Sequence, residues 1–83
     1  MSRLDKWLFH TRFCRTRQLA QTAIAAGHIR LNGARVDKPG HAVKPGGVLT
    51  LRMGAKIVAV RVLALAEKRG SAAEARALYE VLE

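Results

Sequence analysis

The residues in this chain best equipped for chemistry are cations, and the chemistry they suit is the holding of phosphate. Arg15 and Arg17 flank Thr16 where the pattern predicts the start of a helix. A helix N-terminus already carries partial positive charge, so arginines there gain nothing from the helix dipole. A phosphate reverses the sign: it can accept hydrogen bonds from free backbone N–H groups, the Thr16 hydroxyl and a guanidinium fork. The competing reading is two solvated arginines. Phosphate is preferred, and both arginines are expected to serve binding and not stability. Arg30 and Arg35, on either side of a tight turn, and Lys38 beyond it form a second cationic zone. Arg3, Lys6, Arg12 and Lys44 complete a dense basic set between positions 3 and 44.

These side chains need elements to position them. A first helix is predicted from about Arg3 to Cys14: Leu4, Trp7, Leu8, Thr11 and Cys14 share an apolar arc, and Arg3, Lys6 and His10 share a basic one. A second helix is predicted from Thr16, its N-cap, to about Ala26, burying Leu19, Ala20, Ala23 and Ile24, with Gly27 as its left-handed stop. Asn32-Gly33 predicts a hairpin between Ile29–Leu31 and Ala34–Val36, because both residues tolerate positive φ. Strands are predicted for Val48–Arg52, with Leu49 and Leu51 inward, and for Ile57–Leu65, with Val58, Val60 and Val62 inward. Ser71 and Glu74 match a capping box, which predicts a C-terminal helix with Ala75, Leu78, Tyr79 and Leu82 as its stripe. The resulting fold class is α+β: two short N-terminal helices packed on a small, mainly antiparallel sheet, then a C-terminal helix. One domain over 1–83 is expected, with its core motif at about 3–52 and with 57–83 as support.

Charge narrows the partner. The 83 residues hold 15 Lys and Arg against 6 Asp and Glu, a net charge of +9. Residues 1–52 carry +8 of it and residues 53–83 only +1. That segregation points to a polyanion. The second helix has few base-reading side chains, and its cations cluster at its start and on the hairpin. This suits backbone contacts and RNA recognised by shape more than a helix-turn-helix reading of DNA, although DNA binding in vitro is expected as well. No apolar run approaches a bilayer span, and the apolar faces are needed for the core, so no membrane partner is expected. The opening residues do not read as a secretory signal, and the single cysteine suits a reducing cytoplasm.

An enzyme is not expected. Cys14 lies on the apolar arc and reads as a buried thiol. His10, His28 and His41 lack metal-ligand spacing, so neither metal nor cofactor is implied. Asp5 and Asp37 form no general acid/base pair, and Asp5 is better read as pairing with a nearby arginine or tethering the first helix. Trp7 is assigned to the core. Phe9 is the better base-stacking candidate, yet contact with the C-terminal helix is favoured for it.

The stretch from Arg3-Leu4-Asp5 through Arg12, Arg15-Thr16-Arg17, Ala20, Gly27, Asn32-Gly33 and Lys38-Pro39 to Pro45-Gly46 resembles the RNA-binding domain named after ribosomal small-subunit protein S-four. The opening RLDKWL and the later RGSAAEARALYE are most similar to the bacterial fifteen-kilodalton heat-shock protein family. The resemblance implies a non-enzymatic protein of the heat shock response that binds the large ribosomal subunit, its rRNA and tRNA, on complexes carrying a stalled nascent chain. It implies an RNA surface of two helices and a hairpin, carried by Arg3, Lys6, Arg12, Arg15, Thr16, Arg17, Arg30, Asn32, Arg35 and Lys38. A monomer is expected. The chain departs from many relatives at Gly47, where they have Asp. The heat-shock members usually continue into a basic extension beyond the position of Glu83.

Overall fold

The computed structural model describes residues 2–82. Its elements run β1 (Ser2–Arg3), α1 (Leu4–His10), α2 (Arg17–Ala25), β2 (Ile29–Leu31), β3 (Ala34–Arg35), β4 (Ala42–Val43), β5 (Val48–Met53), β6 (Lys56–Val62), α3 (Ala72–Arg76) and β7 (Tyr79–Leu82). Five strands form one antiparallel sheet in the order β3-β2-β5-β6-β7, and β1 pairs with β4 apart from it. This is the α+β architecture expected, with the helices on one face of the sheet.

The periodicity of 2 in β5 and β6 decides which face the helices cover. Leu49, Leu51, Val60 and Val62 are fully buried, as are Leu4, Trp7, Ala20 and Ile24 from the helices. These residues form one cluster that also takes in Leu8, Ile29, Val36 and Val43. Trp7 Nε1 donates to the Ala64 carbonyl at 3.1 Å, so its polar end is satisfied inside the core.

Three boundaries differ from expectation. The first helix ends at His10, four residues before Cys14. The Thr11 hydroxyl donates to the Trp7 and Leu8 carbonyls, and Arg12 takes φ 65°. A left-handed residue stops the helix and turns the chain toward α2. The long strand stops at Val62, short of Leu65. The C-terminal helix starts as expected, with both capping-box hydrogen bonds present, but lasts only five residues. Tyr79–Leu82 leave it and pair with Ala59–Val62 as β7. Without β7 the strand β6, rich in Val and Ile, would be an open sheet edge.

Two loops set the shape of the basic surface. Residues 38–41 cap α1, since Leu4 N–H donates to the His41 carbonyl at 2.8 Å and Asp5 N–H to the Pro39 carbonyl at 3.1 Å. Asn32 (φ 51°) and Gly33 (φ 85°) close the β2–β3 hairpin in the left-handed geometry their types favour.

Candidate nucleic-acid interface

The cationic residues are organised around a buried anion. The Asp5 carboxylate is fully buried at the junction of α1 and α2. Its oxygens accept from Arg3 Nε and Nη2 at 3.1 Å each, Arg17 Nη2 at 3.4 Å, Gln21 Nε2 at 3.0 Å and the Lys6 N–H at 2.8 Å. Burial pushes this carboxyl up. The hydrogen bonds from Gln21, Arg3 and Lys6 and the Arg3 charge outweigh that, so its pKa lies below the ordinary value. The expectation that Asp5 pairs with an arginine holds, and it holds two.

The hub places Arg3 and Arg17 together while leaving their side chains 50% and 42% exposed. Arg17 is therefore not free of structural duty, contrary to expectation. Arg15 is exposed and, among the described residues, has no ion-pair partner. Thr16 caps α2 as expected, accepting from Leu19 N–H at 3.0 Å, which takes up one of the donors a phosphate would otherwise meet. Lys38 belongs to the loop that caps α1, and the Arg3 guanidinium lies against Gly40 of the same loop. Lys6 is exposed and lines a cleft of about 560 Å³ with Arg3, His10 and Glu67.

His10 departs from the basic arc assigned to it. It is 7% exposed, and burial lowers its pKa, so it is neutral near pH 7. Arg12 departs as well: its Nε and Nη2 donate to the Gly70 carbonyl at 3.0 and 2.7 Å, clamping the helix end to the segment before α3. Asn32 uses Oδ1 to accept from Val48 N–H at 2.9 Å, tying the turn to β5. Leu19 points outward, 51% exposed, while Ala20 and Ile24 hold the buried side of α2. The Arg69 guanidinium lies 4.8 Å from the Phe9 ring centroid, and Arg69 Nε donates to the Phe9 carbonyl at 3.0 Å. Phe9 therefore meets the segment leading into α3. Burial raises the Cys14 thiol pKa, as suits an unreactive, half-buried side chain.

Arg30 and Arg35 stand on the other face of the sheet, directly opposite one another across β2 and β3. Arg35 reaches back to Gly27 at the end of α2, where a built Cβ would lie 2.6 Å from its guanidinium. The candidate residues thus fall into two groups: Arg3, Lys6, Arg15, Thr16, Arg17 and Lys38 at the α1–α2 junction, and Arg30 and Arg35 at the far end of α2. At about 1.5 Å per residue, the nine residues of α2 separate the groups by roughly 13 Å. The expectations missed Gln21, although its place four residues after Arg17 puts both on one helix face. They also missed the carbonyls of the 38–41 loop, which no side-chain pattern reveals.

This helix pair, hairpin and loop define the class. The S4 domain family profile matches residues 2–49, and the chain belongs to that family, a class of non-enzymatic RNA-binding modules. Within the class it is a heat shock protein 15 homologue. It is 46% identical to the homologue from Aeromonas salmonicida over 98% of this chain and 61% of that protein. It is 46% identical to heat shock protein 15 of Escherichia coli K12 over 94% of this chain and 58% of that protein. The chain therefore spans about three fifths of the length of these curated relatives. The trimeric structure of Vibrio cholerae heat shock protein 15 superposes with a TM-score of 0.92 at 38% identity, covering 96% of this chain and 80% of that one. That relative is a trimer, which conflicts with the monomer expected from the sequence. No helix among the described residues is long and apolar enough to cross a membrane.

Proposed function

We propose that this chain is one RNA-binding domain that grips structured RNA through the α1–α2 junction, with Arg3, Lys6, Arg15, Thr16, Arg17 and Lys38 on the phosphate backbone. Arg30 and Arg35 extend that surface around the hairpin. The carrying observation is the Asp5 hub. One buried carboxylate orients two half-exposed guanidinium groups beside the start of α2, where Arg15 has no ion-pair partner among the described residues. Preorganised arginines lose less conformational freedom on meeting a phosphate. Asn32 and Arg12 act in this reading by fixing the turn and the helix end, not by touching RNA. The heat shock protein 15 relationship supports the finer assignment to rRNA and tRNA on the large ribosomal subunit, in the cytoplasm, at complexes with a stalled nascent chain.

Fluorescence anisotropy with a structured RNA tests the reading. With about four to six phosphates engaged, the slope of log affinity against log salt is expected near −3 to −5. Arg15→Ala should reduce the slope by about one without changing stability. A flat salt response would overturn the proposal. Crosslinking in cells followed by sequencing tests the ribosomal assignment. Recovery of large-subunit rRNA supports it, and recovery of messenger RNA or genomic DNA alone refutes it.

A further inference from the structure

On the face of the sheet turned away from the helices, Arg52, which the surface proposed above does not use, joins the hairpin arginines in a cationic corner. Strand register places its side chains. Arg35 pairs with Arg30, Arg30 with Thr50, Thr50 with Ala59, and Ala59 with Leu82, forming one rung across all five strands. Arg52 stands two residues beyond Thr50 on the same face, diagonal to Arg30. Arg30 and Arg52 line one small cleft with Gly27, His28, Thr50 and Ile57, and the Arg35 guanidinium lies against that Gly27. Three arginines therefore meet at one corner.

Two features of this corner point to an anionic partner. Like charges placed directly opposite on neighbouring strands repel, and Arg30 and Arg35 are so placed. Among the described residues no side chain of Arg30, Arg35 or Arg52 has an acidic or hydrogen-bonding partner. Arg61, on the same face farther along, is matched by Glu80 at 3.2 Å across β6 and β7. The sheet thus neutralises its cation at one end and leaves three uncompensated at the other.

We propose that this corner of the open sheet face is a second phosphate-binding site, centred on Arg52, for another stretch of the RNA held at the α1–α2 junction. The inference rests on the RNA-binding reading above. Arg52 lies outside the residues matched to the S4 domain, 2–49. RNA is chosen over a lipid surface because Arg30 and Arg52 line a cleft rather than an extended plane, with Arg35 against the Gly27 at its rim and Ile57, 73% exposed, at its side. A strand of sugar and phosphate can rest its apolar ribose edge there while its phosphate meets the guanidinium forks.

The test compares the full chain with Arg52→Gln, with Arg30→Gln plus Arg52→Gln, and with Arg15→Ala, by anisotropy on a structured rRNA fragment long enough to reach both faces. Each arginine removed from the corner should lower the salt slope by about one. The double variant should bind at least about tenfold more weakly at low salt and melt no lower than wild type, because repulsion is relieved. If Arg15→Ala weakens binding while both corner variants keep wild-type affinity and slope, this site is refuted together with the hairpin extension, and only the α1–α2 junction reading stands. If Arg52→Gln alone keeps them and the double variant does not, the hairpin extension stands and the site centred on Arg52 is refuted. If wild type itself shows no salt-dependent RNA binding, both readings fall. If the corner variants lose binding to anionic phosphatidylserine vesicles but none to RNA, the partner is a membrane and the proposal is refuted.

Discussion

Replacing Asp5 by Asn tests the hub on which the helix pair is built. Asn keeps the size of the side chain, so no cavity opens, but it offers one acceptor oxygen where the carboxylate offers two. In the native protein one oxygen takes Arg3 Nε and Lys6 N–H, and the other takes Arg3 Nη2, Arg17 and Gln21. Either orientation of the amide therefore turns an NH₂ group toward two or three donors. Breaking a buried ion pair by removing one member costs about 3–5 kcal/mol. Here the arginine side chains are 50% and 42% exposed, so water takes over much of their share. What remains is the loss at the buried end, and we expect a destabilisation of about 2–3 kcal/mol. For a domain of this size that lowers the melting temperature by about 10–20 °C, readable by circular dichroism. RNA binding, measured well below the transition, should keep its salt slope, because neither arginine has been removed and the net charge becomes one unit more positive. A melting temperature within about 3 °C of wild type would show that the carboxylate does not hold the helices together.

The same geometry sets other expectations. Arg12→Ala removes both hydrogen bonds to the Gly70 carbonyl and should destabilise by about 1–2 kcal/mol in denaturant titration, with no change in the RNA salt slope; Arg12→Lys, lacking the fork, should recover only part of the loss. Gly27→Ala forces a Cβ onto a residue at φ +82° and 2.6 Å from the Arg35 guanidinium, so Arg35 must move and stability should fall by about 1–2 kcal/mol, measured by thermal melting. Acid should destabilise the fold in two stages. The folded pKa of His10 lies below 6.5, so the unfolded chain takes up this proton first; the stability contributed above 6.5 is lost as pH falls through the folded value. The folded pKa of Asp5 lies below 3.8, so its contribution is present above that pH and lost as pH falls through the folded value. His10→Phe should abolish the first stage; a variant that still loses stability between pH 7 and pH 5 as wild type does would contradict the assignment.

Much of the architecture was legible because single residues act as punctuation. Gly27, Asn32-Gly33 and the Ser71/Glu74 capping box each fix the backbone locally, and each stands where the pattern placed it. Alternation in β5 identified the inward leucines for the same reason, since burial follows period 2 whatever else the chain does. The errors arose where a distant partner decides. Tyr79–Leu82 fit a helical stripe and a strand equally well; the exposed edge of β6 selects the strand. Arg12 looks like any other basic residue of the motif until Gly70, 58 positions away in sequence, accepts from it. Charge density predicted that cations would cluster but not which would be tied down, because hydrogen-bond partners are set by tertiary contact.

That division between tied and free cations explains how so basic a chain stays folded. A net charge of +9 on 83 residues works against compaction. Among the described residues there are three ion pairs, and two of them share the Asp5 carboxylate. This buried anion is placed where the helices meet, so it offsets repulsion where Arg3 and Arg17 come together. The cations left without an ion pair include Arg15, Lys6 and Lys38 near the junction and Arg30, Arg35 and Arg52 on the sheet. Their mutual repulsion persists in the free protein, and under the proposed function phosphate relieves it. It follows that stability and affinity should part company outside the hub: loss of Arg15, Arg30 or Arg52 should lower affinity without lowering stability, and loss of Arg12 should lower stability alone. They should fall together only when Arg3 or Arg17 is replaced, because there one guanidinium serves both the fold and the surface.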